Sequence, residues 1–233
     1  MDIAMFTHEG LVMLLRWIHF FSGVAWIGLL YYFNFVQGAF FAEIEAPVKN
    51  VAFSKLVPKA LWWFRWGAMG TFLSGLGMLG IAGADLKADF FLTPYGLYIW
   101  PGALMGTIMF LNVWLVIWPN QKILIANANT VLGGGAANPA AAAAGAKALL
   151  ASRTNTLFSF SLLFFMGASR HLGLSMGEAM NPYPAVMVLT GLILAIEGNA
   201  LFGKLGPIAS VKGVIHFGIL LMVVMYGLLE ALV

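Results

Sequence analysis

Cysteine is absent from this chain of 233 residues. That absence excludes disulfides, thiolate metal sites, iron–sulfur clusters and covalently attached c-type haem. Charge is scarce as well: Asp, Glu, Lys and Arg make up 9% of the residues, where a soluble domain carries about 25%. With 61% hydrophobic residues and a mean hydropathy of +0.91, the chain has too little polar surface to cover a soluble fold, so the apolar excess must face lipid. The net charge of +3 is thinly spread, and no run of Lys and Arg marks nucleic acid as a partner. Phosphate loops, nucleophile elbows and HExxH zinc motifs are missing too.

What is present is a series of long apolar runs. A helix needs about 20 apolar residues to cross the bilayer core, and six stretches meet or approach that length: 11–33 (reaching 41 if the helix continues), 61–83, 97–118, 156–174, 184–203 and 211–232. They are too long and too little alternating for barrel strands. The expected fold is therefore an all-α integral membrane protein, with about six transmembrane helices in one bundle and one domain over 1–233. The acidic start (Asp2, Glu9) and the length of the first run argue against a cleavable signal. No internal repeat of the transporter kind is visible.

Basic residues set the orientation. Lys49, Lys55 and Lys59 fall between the first and second runs; Lys122, Lys147 and Arg153 between the third and fourth; Lys204 and Lys212 around the last turn. The alternate loops clearly hold only Lys87. The basic loops belong in the cytoplasm, which puts both termini outside. That corresponds to the periplasm for a multi-pass protein of a bacterial inner membrane. Within the loop at 119–155, WPNQK is expected to end the third span. After Gly133-Gly134-Gly135, Asn138 and Pro139 read as the start of a short, alanine-rich cytoplasmic helix.

Ionisable groups at membrane depth are costly and mark interior faces or sites. At about 100° per residue, Arg16, His19, Gly23, Trp26, Asn34 and Gln37 fall within an arc of about 80° on the first helix. Such a polar and small stripe should face protein, with Gly23 leaving room beside His19 for something flat. Arg170 and His171 end the fourth run and are expected at the same level as Arg16 and His19. Two neutral imidazoles from different helices can ligate a haem iron, with arginines pairing with its propionates or with an anionic substrate. His19 and His171 are thus candidate axial ligands, and Arg16, Arg170 and Gly23 candidate cofactor-binding residues. Arg65, Glu197 and His216 form a second polar group in the opposite half, where Arg65 and Glu197 can pair. Small residues at Gly67, Gly70, Ser74 and Gly77, and at Gly102 and Gly106, permit close helix packing.

The segment RWIHFFSGVAWIGLLYYFNFVQ at 16–37 resembles the membrane N-terminal domain of the bacterial cytochrome-c-linked urate oxidases. The resemblance continues in WWFRWGAM at 62–69, WPNQK at 118–122 and SRTNTLFSFSLLFFMGASRH at 152–171. The pattern RWxHxxxGxxWIG also resembles membrane-bound protoporphyrinogen oxidases and copper-resistance D proteins. In the protoporphyrinogen oxidases a histidine of this helix is implicated in haem binding. The resemblance implies a membrane redox protein, possessing haem b at His19 and passing electrons to a periplasmic cytochrome c. Departures are clear. The His-Gly-rich segment of the fused family has no counterpart between Gly38 and Ala60. Gly67 stands where that family has an acidic residue. Without cysteine there is no CxxCH, so the cytochrome c is expected as a separate chain. Two other functions compete: a non-catalytic membrane subunit of a respiratory complex, and a small-molecule or ion transporter.

Overall fold

The computed structural model describes residues 3–86, 90–174 and 181–233; Lys87 lies outside them. Among these residues the secondary structure is helical throughout. The long elements are α1 (His8–Glu43), α2 (Ala46–Lys55), α3 (Val57–Leu86), α4 (Pro94–Leu132), α5 (Ala141–His171), α6 (Tyr183–Phe202) and α7 (Val211–Leu232). All but α2 are long and apolar enough to cross a membrane, so the chain is an all-α, multi-pass membrane protein. Three spans begin on a hydroxyl N-cap. Thr7 accepts from the Gly10 amide at 3.2 Å, Thr93 from Gly96 at 3.0 Å, and Ser210 from Gly213 at 2.9 Å.

The bundle is built around α5. Of its most apolar stretch, 61% is buried, against 6% for α1. It packs on α4, α7, α6 and the loop-side end of α1. Helix α1 lies mainly along α3, and the small residues of α3 are the reason. A Cβ on Gly67 would come within 3.0 Å of the Trp26 amide nitrogen and 3.1 Å of the Ser22 carbonyl oxygen. One on Gly70 would run into the Ser22 side chain, and one on Gly77 would lie 3.2 Å from Leu15. Gly102 and Gly106 bring α4 close to Met166 and Leu162 of α5 in the same way.

The structure differs from the sequence expectation in the long elements. The third long helix does not stop at WPNQK: α4 runs through Pro119 to Leu132. A wide π turn over Asn112–Ile117 immediately precedes the proline. This disrupts the regular ladder where Pro119 would clash and lack a donor. The alanine-rich run is no separate helix either. It forms the first turns of α5, continuous with the fourth span, because alanine favours helix and only Gly145 interrupts it. Asn138 and Pro139 precede the helix rather than start it: the first helical residue is Ala141, Ala140 stands at the N-cap without a side-chain cap, and Asn138 accepts from the Ala140 amide at 2.9 Å in the turn before it. The helix outside the spans is instead α2, in the first basic loop and packed on the end of α4. Helix α1 takes the longer of its two expected lengths through a second π turn, Tyr32–Gln37.

Candidate functional site

The stripe on α1 faces protein. Trp26, Asn34 and Gln37 are buried, and Arg16, His19 and Gly23 are half-buried. Ser74 of α3 donates its hydroxyl proton to the Gly70 carbonyl at 2.6 Å, and its oxygen lies 3.3 Å from His19 Nδ1. With its own proton committed, the Ser74 oxygen can accept from an Nδ1–H of His19, the tautomer that leaves the lone pair on Nε2. The space expected beside Gly23 is taken: a Cβ there would meet Thr71 at 3.8 Å, an ordinary contact.

His171 and Arg170 are exposed at the end of α5, with the Arg170 guanidinium 4.6 Å from the Tyr95 ring centroid. Helices α1 and α5 run antiparallel, in a register set by Tyr31–Ser159 at 2.9 Å and Asn34–Ser152 at 2.8 Å. His19 turns to α3, and no hydrogen bond links it to His171 among the described residues. No group of three or more His, Cys, Asp or Glu that could hold a metal occurs among them. Of the two expected ligands, His19 has Nδ1 beside the Ser74 hydroxyl, the kind of contact that orients metal-ligating histidines.

The second polar group is not one cluster. Arg65 lies with its guanidinium 3.6 Å from the Trp118 ring centroid and donates to the Leu61 carbonyl at 3.2 Å. Glu197 accepts from the Asn112 amide at 3.0 Å, so it does not pair with Arg65. His216 is exposed on α7. In place of an ion pair there is a network around the π turn of α4. Asn112 donates also to the Asn155 amide oxygen at 3.0 Å, and Asn155 donates to the Met109 carbonyl at 3.0 Å. Arg153, which read as a loop cation, is only 7% exposed within the bundle. Its Nε and Nη1 have no hydrogen-bond partner.

A cavity of about 460 Å³ opens where α1, α2, α3, α4 and α5 meet on the side of the basic loops. Aromatic walls come from Phe33, Phe41, Phe53 and Phe64, and polar groups from Asn34, Gln37, Gln121, Lys49 and Ser152. Small residues of α5, Gly145 and Ala148, leave the space. The Asn34 amide donates to the Leu30 carbonyl at 2.9 Å and to Ser152 at 2.8 Å. Those contacts fix the amide's orientation. They leave Oδ1 of Asn34, like Oε1 of Gln37 and of Gln121, buried without a donor. Sequence reasoning placed Asn34 and Gln37 on the interior stripe. It passed over Gln121, Ser152 and Asn155, whose signal was the same: amides and hydroxyls within or beside an apolar run.

A family described as Urate oxidase N-terminal matches by its model over residues 81–198, half of the chain. The chain belongs to this family. No curated protein and no solved structure matches it. Within the matched part of this urate oxidase N-terminal domain lie the Asn112–Asn155–Glu197 network, Arg153, and the Gln121 and Ser152 side of the cavity. His19, Asn34, Gln37 and Lys49 lie before it.

Proposed function

We propose that this chain is the membrane redox domain of a urate-oxidising system, with haem b on His19 and electrons leaving to a separate cytochrome c. Membership of the urate oxidase N-terminal family supports the relation to that chemistry. The observation that carries the cofactor is the contact between His19 Nδ1 and Ser74, whose own proton goes to Gly70. In the tautomer that donates from Nδ1, the Nε2 lone pair of His19 is left over, on a helix within the membrane. His171 is the second candidate ligand, and Arg16 and Arg170 are the candidates for the propionates. Bound there, haem supplies one-electron chemistry. The chain's own part is to orient the His19 ring through Ser74 and to bury it against α3. The basic loops face the cytoplasm of a bacterial inner membrane, so His19 lies in the outer half, on the side of a periplasmic cytochrome c.

The test is a reduced-minus-oxidised absorption spectrum of the protein purified in detergent, with haem quantified as the pyridine haemochrome. A stoichiometric b-type signal that disappears in His19→Ala is the expected result. An unchanged spectrum in that variant overturns the assignment of His19. No haem in protein from haem-replete cells overturns the redox reading, and then favours the non-catalytic subunit.

A further inference from the structure

We propose that Arg153 anchors a binding site for the phosphate group of an anionic phospholipid, which enters between α1 and α7 on the side of the basic loops. Such a site needs neither haem nor urate.

Arg153 is 7% exposed, and its Nε and Nη1 are buried without an acceptor. Nη2 makes no hydrogen bond either, and it is the one nitrogen of the guanidinium that is not closed off. No ion pair involves Arg153 among the described residues, and Glu197 of α6 is already engaged by Asn112. A buried cation in this state is costly, and such groups in membrane helices meet a partner. The place of the side chain in the fold gives the direction of approach. Phe160 lies two turns beyond Arg153 on the same face of α5. Its ring sits between two helices: the Tyr31 ring of α1 is 6.2 Å away, centroid to centroid, and a Cβ on Gly218 of α7 would run into it. Further along, Phe164 meets Tyr226 at 5.4 Å, so α5 and α7 run parallel. Two turns back from Phe160 and Gly218 lie Arg153 and Val211, the first residue of α7. Nearer the loops on that face of α5, Ala146 and Leu149 are exposed. Arg153 thus marks the depth at which the face passes from exposed to buried. Charge of one sign gathers there: the guanidinium, the positive end of the α7 dipole, and Lys212 in the first turn of α7. The missing element is an anion. Arginine suits phosphate, because its N–H groups bond phosphate oxygens with charge assistance. A free ion would meet the charge alone. A phospholipid also covers apolar surface, of which Ile219 and Val223 of α7 and Leu149 of α5 are exposed. Basic pockets between helices on the cytoplasmic side bind anionic headgroups, and the basic loops put Arg153 on that side.

The experiment is native mass spectrometry and thermal unfolding of the full chain, delipidated in mild detergent and titrated with phosphatidylglycerol, phosphatidylcholine or inorganic phosphate. The expected result is one retained phosphatidylglycerol per chain, which raises the unfolding temperature, with phosphatidylcholine and inorganic phosphate far weaker. Arg153→Gln should weaken phosphatidylglycerol about tenfold, the loss of one hydrogen bond to a charged group. Lys147→Gln, at an exposed position of the same helix, should leave that affinity unchanged. Arg153→Lys keeps the charge without the planar fork and should fall between the parent and Arg153→Gln. Without lipid, Arg153→Gln should unfold no lower than the parent, because it removes a buried charge that has no partner. An Arg153→Gln chain that unfolds below the parent without lipid, or does not fold at all, shows an arginine that braces the bundle and overturns the proposal. Equal losses of affinity in Arg153→Gln and Lys147→Gln overturn it too, as the general attraction of a basic surface for anionic lipid. Equal binding of phosphatidylcholine shows that the site does not read charge, with the same consequence. Full protection by inorganic phosphate overturns the lipid and leaves a soluble anion on Arg153.

Discussion

Arg65 rests on Trp118: its guanidinium carbon lies 3.6 Å from the ring centroid, and Trp114 is 5.4 Å away. The cation of α3 is thereby shared with the aromatic residues of α4 at the loop-side end of both helices. A double-mutant cycle on Arg65 and Trp118 should give a coupling of about 0.5–2 kcal/mol. The corresponding cycle on Arg65 and Glu197 should give a coupling near zero, since Glu197 is occupied by Asn112. Thermal unfolding in detergent measures both. A large Arg65–Glu197 coupling would restore the ion pair that the sequence suggested.

The π turn of α4 depends on Asn155. Its amide caps the Met109 carbonyl and its oxygen receives Asn112. Asn155→Ala removes both contacts from a residue that is fully buried. Hydrogen bonds between membrane helices are worth about 0.6 kcal/mol on average and up to about 1.7. With two of them lost, a destabilisation of about 1–3 kcal/mol is expected. Asn120→Ala is the comparison, because that amide serves only the Val116 carbonyl of its own helix. Equal losses from the two substitutions would show that the network adds nothing beyond a local cap.

The span count, the interior stripe of α1 and the close-packing face of α3 were legible in the sequence because each is a periodic pattern. Apolar length gives the spans, and spacing along the helix gives the stripe from Arg16 to Gln37. The long helices were not legible. Pro119 is ordinarily a stop signal, and nothing local announces that the wide turn at Asn112 absorbs it. Partner choice was also beyond reach. Arg65 and Glu197 have opposite charges in the same half of the membrane, yet Trp118 and Asn112 are nearer. The cavity escaped for a related reason. Asn34, Gln37, Lys49, Gln121 and Ser152 come from four helices, and only the folded packing puts them around one space. His19 and His171 were expected to face each other, but which way each ring turns is decided by side-chain packing, and His19 turns to Ser74 of α3.

Small residues on α3 and α4 should differ in what they tolerate. Gly67 faces α1 backbone, at 3.0 Å from the Trp26 nitrogen and 3.1 Å from the Ser22 oxygen, whereas Gly102 faces the flexible end of Met166 at 3.2 Å. Backbone cannot move aside cheaply, and a methionine tip can. Gly67→Ala should cost about 1–3 kcal/mol, the usual penalty of overpacking. Gly102→Ala should lie well below it in the same unfolding assay. The reverse order would mean that α1 and α3 are not held at the separation seen here.

Ser74 offers the finest test of the His19 assignment, because it acts on the ring without touching any ligand. Ser74→Ala removes the acceptor of Nδ1–H at 3.3 Å and frees the ring to turn or change tautomer. Outer-shell partners of metal-ligating histidines typically contribute about 10–100-fold to affinity. Haem retention in Ser74→Ala should therefore fall about tenfold on titration, with a displaced midpoint potential in the fraction that stays loaded. Ser74→Thr keeps the hydroxyl and should restore both. The potential separates positioning from bulk stability: a variant that merely packs worse loses haem without shifting the potential of what remains. Unchanged affinity and potential in Ser74→Ala would show that the Ser74 contact does not prepare His19 as a ligand.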